Sequence, residues 1–321
     1  MRTLAFGTLL SLAVIAAAFP GAAHATAKKQ PQKRAAKKTT GTQKVVVKKG
    51  VRGTLPRTGL ARPKLTAGTA KSGYRRLSYG KDETPDVAAH EQAAYHQWQD
   101  SAMHDLELPG GGHAPVAVIE VGPPGPKPTI VHFHGATVQV ENVLLWRLAR
   151  AFQAEGRPIR IIAPRHQDGR QVIDALTQGG EKVAVMGHSA GSGTAQSIAA
   201  GNPDKVSHDI GIGSPGTIGR GVKTLLLNGT NGRDGYEHAL RLAEQDDSVT
   251  ALVLDGVDHS MRQAPAGLPG GEQKARFNAT PETARVARRV ARSVTDFVSG
   301  EAGGFFAGVR GSWQGRFDTE E

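Results

Sequence analysis

The chain has 321 residues, 40 Lys or Arg against 29 Asp or Glu, a net charge of +11, 41 glycines and no cysteine. Without cysteine there are no disulfides, thiolate metal sites or cysteine nucleophile, so the folded part must rely on its own core. The charge is uneven: residues 26–81 hold 17 basic and no acidic residues, and with Arg2 set aside everything from Asp82 onward is net −7.

Residues 1–25 read as an export signal. Arg2 supplies the positive start, Leu4 to Phe19 a short apolar run, and Ala23-His24-Ala25 a small-residue cleavage site. The run is short for a bilayer span, so the mature protein is expected to be periplasmic or secreted, with no transmembrane segment once the signal is removed. Residues 26–81 follow as a basic leader. Lys28-Lys29, Lys37-Lys38 and Lys48-Lys49 stand among Ala, Thr, Gln, Gly and Pro, with Val45-Val46-Val47 the only apolar cluster of note. Such a segment buries too little to offset its ordering entropy and is expected to be disordered. It is either a solvated spacer or a tether to a polyanion such as nucleic acid, lipopolysaccharide or an acidic cell-wall polymer.

Residues 82–300 are expected to be the folded domain. A helix is predicted from Pro85 to Leu108, anchored by Tyr95 and Trp98 and broken by Pro109-Gly110-Gly111-Gly112. Ala117–Val121 and Thr129–Phe133 read as strands. Glu141–Glu155 reads as a helix with Leu145, Leu148, Ala149 and Phe152 on one face and Gly156 as its stop. Then come strand Ile159–Ala163, a short helix Val172–Leu176, strand Lys182–Met186, helix Ser192–Ala200, strands Ile210–Gly213 and Thr224–Leu227, helix Tyr236–Asp246 and strand Val249–Leu254. A last helix has Thr280 as N-cap, Pro281 at its first position, Val286, Val290, Val294 and Phe297 on its inner face and Gly300 as its end. This alternation predicts an α/β fold: a doubly wound, mostly parallel sheet with helices on both faces and chemistry at the carboxyl ends of its strands. Residues 301–321 form a Gly-rich tail with Phe305, Phe306, Trp313 and Phe317, either packed back on the domain or loose.

Those strand ends carry a consistent set of residues. Gly187-His188-Ser189-Ala190-Gly191 matches a nucleophile elbow, in which glycines two residues either side of a serine let the chain turn sharply from strand to helix. The match falls between a buried strand and a helix, where such a turn belongs. Asp234 follows the Thr224–Leu227 strand, at the start of the next helix, and His259 follows the last strand in Gly256-Val257-Asp258-His259. The order Ser, acid, His is that of a hydrolytic triad. Asp234 could instead merely cap its helix, and Asp255 and Asp258 are rivals for the acid. Upstream, His132-Phe133-His134-Gly135-Ala136 ends a strand, and the backbone N–H groups of Ala136 and Ala190 are placed to form an oxyanion hole. His132 and His134 share a strand face, but no third ligand accompanies them, so no metal site is assigned. His188 has no role that the sequence supplies.

On these motifs, the stretch from about Ala117 to Gly300 resembles the α/β-hydrolase superfamily, among compact serine esterases and dienelactone-hydrolase-like members. The latter typically use cysteine, absent here. The resemblance implies Ser189 as nucleophile, His259 as base and Asp234 as orienting acid, with no cofactor or metal. Ser189 and Asp234 are 45 residues apart, too few for a large inserted cap domain. The leading reading is a serine hydrolase cleaving a carboxylic ester, with a short acyl group or on an exposed, polymer-borne substrate. Thioester, lactone and peptide cleavage use the same constellation. The rival is a non-catalytic hydrolase-fold protein that binds a polyanion through residues 26–81.

Overall fold

The computed structural model describes residues 65–67, 83–135, 140–214, 221–232, 235–263, 277–300 and 312–315. The expected signal and most of the leader lie outside them. All the described residues belong to one of the chain's two units, Pro56–Glu321.

Ten strands form one sheet: β1 (Leu65–Ala67), β2 (Met103–Glu107), β3 (His113–Val121), β4 (Thr129–Phe133), β5 (Ile159–Pro164), β6 (Val183–His188), β7 (Val206–Ile212), β8 (Lys223–Gly229), β9 (Val249–Leu254) and β10 (Ser312–Gly315). Their order is β1-β2-β3-β5-β4-β6-β7-β8-β9-β10. The β1-β2-β3-β5 edge is antiparallel and every pair from β5 to β10 is parallel. The helices are α1 (Gln92–Ala102), α2 (Val143–Glu155), α3 (Gly169–Thr177), α4 (Ala190–Gly201), α5 (Tyr236–Gln245) and α6 (Pro281–Ser299). The apolar stripes of α2 and α6 pack on one sheet face with Ile130, Met186, Ile210 and Leu252. Those of α3 and α4 cover the other face with Val131, Phe133, Ile162 and Val185, and α5 continues that layer over Leu226 and Ala251. This is the doubly wound, mostly parallel α/β sheet with helices on both faces that the sequence predicts. Residues 213–222, between β7 and β8, leave no room for a cap domain.

From β4 the chain goes outward to β5 and returns to β6 on the opposite side of β4. A crevice therefore opens where the carboxyl ends of β4 and β6 diverge. Local signals set the flanking helices. Asn142 caps α2 by accepting the Leu145 N–H at 2.9 Å, and Gly156 ends the helix at φ 66°. Thr280 and Pro281 start α6 as predicted, and Gly300 ends it at φ 62°.

The helix predicted over Pro85–Leu108 is mostly overturned. Only Gln92–Ala102 is α-helix; two 3₁₀ turns precede it and β2 follows. Residues 109–112 are thus the turn of a hairpin, with Gly110, Gly111 and Gly112 all at positive φ. The backbone of Met103–Glu107 finds its partners on β3, and that cross-strand ladder outweighs local helical preference. Tyr95 does anchor the helix: it is fully buried and its hydroxyl donates to the Glu141 carbonyl at 2.8 Å. Two short segments of the expected leader and tail join the sheet edges. Leu65–Ala67 pairs with β2, and Ser312–Gly315 pairs with β9.

The sheet also buries ionisable groups. Burial holds His132 on β4 down at about 3, and His188 at the end of β6 and His208 on β7 down at about 4. Burial pushes the Asp209 carboxyl on β7 up to about 7. Each histidine takes up a proton near 6.5 when unfolded and refuses it when folded, so stability is lost as pH falls from 6.5 toward 4. Asp209 runs the other way over the same range, one group against three. Thermal melting should therefore show the unfolding temperature falling steadily from pH 6.5 to pH 4.5. His208→Phe, which keeps a ring against Phe297, should flatten that slope. A melting temperature that rises toward acid would mean these histidines are not neutral in the fold.

Candidate active site

Ser189 sits between β6 and α4 with φ 54° and ψ −123°, a conformation that a non-glycine residue rarely holds. The glycines on either side are there for contact. A methyl on Gly187 would overlap the Gly191 carbonyl, and a methyl on Gly191 would overlap the carbonyls of Phe133 and His134. The turn is pinned by the Ser189 N–H donating to Ile212 O at 3.0 Å and the Ser192 hydroxyl donating to Gly187 O at 2.7 Å. The start of α4 is therefore pressed against the end of β4. That contact brings the loop after β4 to Ser189: a Cβ on Gly135 would stand 3.7 Å from the Cβ of Ser189. Ala190, the first residue of α4, has an N–H that no carbonyl within the helix can accept. Ala136 lies outside the described residues.

His259 reaches the same place. Its carbonyl accepts a hydrogen bond from His188 Nε2 at 2.9 Å, and the two rings stand 4.9 Å apart. Its Nδ1 would be 3.2 Å from a Cβ on Gly213, the residue after the strand end to which Ser189 is bonded. Gly213 has φ 58°, and a side chain there would press on the histidine. The function of His188, opaque in the sequence, is thus to tie the elbow to the histidine loop.

That loop is held from three further directions. Asp258 accepts from the N–H groups of Ser260 and Arg262 at 2.9 Å each, and its second oxygen pairs with the Arg262 guanidinium at 2.7 and 2.8 Å. Arg147 of α2, almost fully buried, donates to the carbonyls of Ser260 at 2.5 Å and Met261 at 3.2 Å. Burial lowers the Arg147 guanidinium to about 10, leaving it charged at neutral pH. Val257 bridges Gln263 at the base of the loop. Met261, buried and at φ 55°, is the second strained non-glycine residue and needs this scaffold.

Asp234 lies outside the described residues, but the first half of its loop does not. Asn231 N–H donates to Val257 O at 2.9 Å, Thr230 N–H to Leu254 O at 3.0 Å, and the Thr230 hydroxyl accepts from Gly256 N–H at 2.9 Å. Gly229 is so close to the Val257 carbonyl that a methyl would overlap it. The loop after β8 and the loop after β9 therefore leave the sheet joined side by side. Of the rivals, Asp258 is committed to its own turn and to Arg262. Asp255, half-buried after β9, bears on Tyr236, raising its phenol after the larger influence of Glu237.

The two histidines before Gly135 diverge. His132 is fully buried on the α2 side, facing the Met186 backbone, with neither ring nitrogen in a hydrogen bond of ordinary geometry. His134 Nδ1 donates to Gly135 O at 2.6 Å, and the His134 carbonyl accepts from His166 Nε2 at 2.8 Å. Among the described residues no group of three or more His, Asp or Glu could hold a metal ion. Sequence reasoning missed Arg147 and His166. Arg147 was the visible anomaly, a cation between Trp146 and Leu148 in an otherwise apolar helix face.

No family model matches the chain, and no curated protein matches it. Solved structures do. A predicted CIB-like hydrolase from Thermoplasma acidophilum aligns at 15% identity over 62% of this chain and 97% of its own, with a TM-score of 0.43. A dienelactone hydrolase from Anabaena variabilis aligns at 17% over 61% and 98%, with a TM-score of 0.41. An α/β serine hydrolase without a lid from Xanthomonas campestris aligns at 17% over 50% and 85%, with a TM-score of 0.37.

Arg147→Met should lower kcat on an activated ester by about 10- to 100-fold with KM nearly unchanged, because two carbonyls beside His259 lose their donors and the ring loses its setting. Arg147→Lys, with fewer donors, should fall between. Steady-state kinetics on p-nitrophenyl acetate, with melting temperatures as a folding control, provide the check. Wild-type kcat in a folded Arg147→Met would remove the clamp from the chemistry.

Proposed function

We propose that the chain is a serine hydrolase that cleaves a carboxylic ester. The observation that carries this reading is the strained turn of Ser189, tied through Ile212, Gly213 and His188 to the loop of His259. A serine held at φ 54° with overlap-limited glycines on both sides has a structural cost, of order 1–3 kcal/mol, that a plain connection would avoid.

In this mechanism His259 takes the Ser189 proton as the oxygen attacks the ester carbon. The carbonyl oxygen becomes an oxyanion, stabilised by the N–H groups of Ala190 and Ala136. Collapse returns the electron pair to the carbonyl and expels the alcohol, which leaves with the proton from His259. Water then repeats the sequence on the acyl-serine, giving the acid and free Ser189. Asp234 accepts from the other ring nitrogen of His259 and fixes its tautomer. No metal or cofactor enters any step. The connection between β7 and β8 is too short for an inserted cap, which suits short acyl groups or an ester carried on a large exposed substrate.

Ser189→Ala should lower turnover of p-nitrophenyl acetate by about 10⁴- to 10⁶-fold and abolish fluorophosphonate labelling while leaving the melting temperature near wild type. Asp234→Asn should lose about 10³- to 10⁴-fold and Asp255→Asn little. Activity of Ser189→Ala within about tenfold of wild type would sink the assignment. A crippled Asp255→Asn beside a healthy Asp234→Asn would move the acid.

The charge division favours a second, additive reading: the protein is exported and its basic leader binds an anionic polymer. A chain beginning at Lys81 should keep its activity on a small ester but lose salt-sensitive retention on heparin or lipopolysaccharide, since the remainder is net negative. Equal retention by both chains would leave the leader a spacer.

A further inference from the structure

A cavity of about 510 Å³ opens beside the nucleophile's helix, with His166, Gln167 and Arg170 on one wall and Ala190, Thr194 and Ser197 on the other. One end lies at Ala190, whose N–H the proposed mechanism aims at the oxyanion. Part of the wall is already fixed. His166 spends its Nε2 proton on the His134 carbonyl, so its Nδ1 is an acceptor and takes the Thr194 hydroxyl at 3.4 Å. Among the described residues no carboxylate lines the cavity.

Arg170 is different. Among the described residues it makes no hydrogen bond or ion pair, and it is exposed. The acids nearest in sequence already have partners: Asp168 is held by Arg165 at 2.5 Å and Asp174 by Lys205 at 2.8 Å. From Asp82 onward the chain is net negative, so an unpaired guanidinium in a cleft without carboxylates is a local exception in charge. A cleft of one sign of charge concentrates ligands of the other. Ser197 stands seven residues beyond Ala190 on α4, about 10 Å along the axis at 1.5 Å per residue. That is about eight bonds of extended chain, so an arm of four to six bonds, measured from the Ala190 end of the cavity, leaves a few ångströms for the Arg170 side chain to span.

We propose that this cavity receives a carboxylate-bearing arm of the ester substrate, with the arm's charge on Arg170 and the ester carbonyl at Ala190. The proposal rests on the hydrolase reading above and narrows it to esters with an anionic group a few bonds from the scissile carbonyl.

Two matched pairs test it. For an arm on the acid side, p-nitrophenyl glutarate is compared with p-nitrophenyl pentanoate. For an arm on the alcohol side, 4-acetoxyphenylacetate is compared with its methyl ester. Wild type should favour the anionic member of at least one pair by about tenfold in kcat/KM, the order expected of one charged hydrogen bond. Added salt should shrink that ratio. Arg170→Ala should bring it to about one, through KM, and Arg170→Glu should invert it. Equal rates within both pairs, or a preference that survives Arg170→Ala, would overturn the proposal. Binding is read separately, by melting with glutarate added to the full chain. A glutarate stabilisation lost in Arg170→Ala, without cleavage of any of the four esters, would keep the anion site and reject the hydrolase. Cleavage with no such discrimination and no glutarate stabilisation would keep the hydrolase and reject the site.

Discussion

The site depends on backbone lying against backbone. Gly191 meets the carbonyls of Phe133 and His134, and Gly187 meets Gly191 across the turn. Each contact is closer than any side chain allows, so α4 can enter at an angle that turns Ser189 outward and brings the β4 loop beside it. The sheet order supplies the opening: β4 and β6 are neighbours whose connections leave in opposite directions. With Gly135 beside Ser189 and Ala190 opening α4, a carbonyl oxygen in that gap would meet the Ala190 N–H, whose position the fold has already fixed. Such preorganisation requires no reorganisation during reaction.

A second constraint concerns the histidine loop. A side chain proposed to transfer protons needs a fixed backbone, yet Val257–Gln263 carries a strained residue, Met261, and no regular structure beyond one bridge. The loop is held by groups that bond its peptide units. Asp258 takes N–H groups, and Arg147 and His188 take carbonyls. The charges are matched within the loop, Asp258 with Arg262, while Arg147 spends its charge on carbonyl dipoles. A buried cation that bonds neutral carbonyls suffers a desolvation cost that a carboxylate partner would partly offset, and its lowered value of about 10 reflects that.

Much of this was legible in the sequence because its causes are local. The elbow follows from glycines two residues either side of a serine, and the start and end of α6 from Thr280, Pro281 and Gly300. The helical faces follow from spacing. What was not legible has distant causes. The β2 strand reads as helix because its partner, β3, is chosen across a hairpin whose glycine turn resembles a simple breaker. The first half of β7 is hidden because Ser207, His208 and Asp209 look like a surface turn, although His208 is largely buried beside Phe297 and Asp209 fully so. Arg147 and Ser260 are 113 positions apart, and no local pattern announces their contact.

The small residues of α4 serve two faces of one helix. Gly191, Ser192 and Ala195 are buried against the sheet, where only short side chains allow the close entry that the elbow requires. Ala190, Gly193, Thr194 and Ser197 face the other way and line the cavity with α3. The first face is fixed by the geometry of the turn. The second is not: larger side chains there would fill the cleft without touching the elbow. Its lining is mixed, and with Ile198 as its one sizeable apolar side chain it offers a hydrocarbon chain a small surface, where each buried methylene would contribute about 0.8 kcal/mol. The position of Ser189 is therefore set by the buried face of α4, while the exposed face and Arg170 can vary without disturbing it.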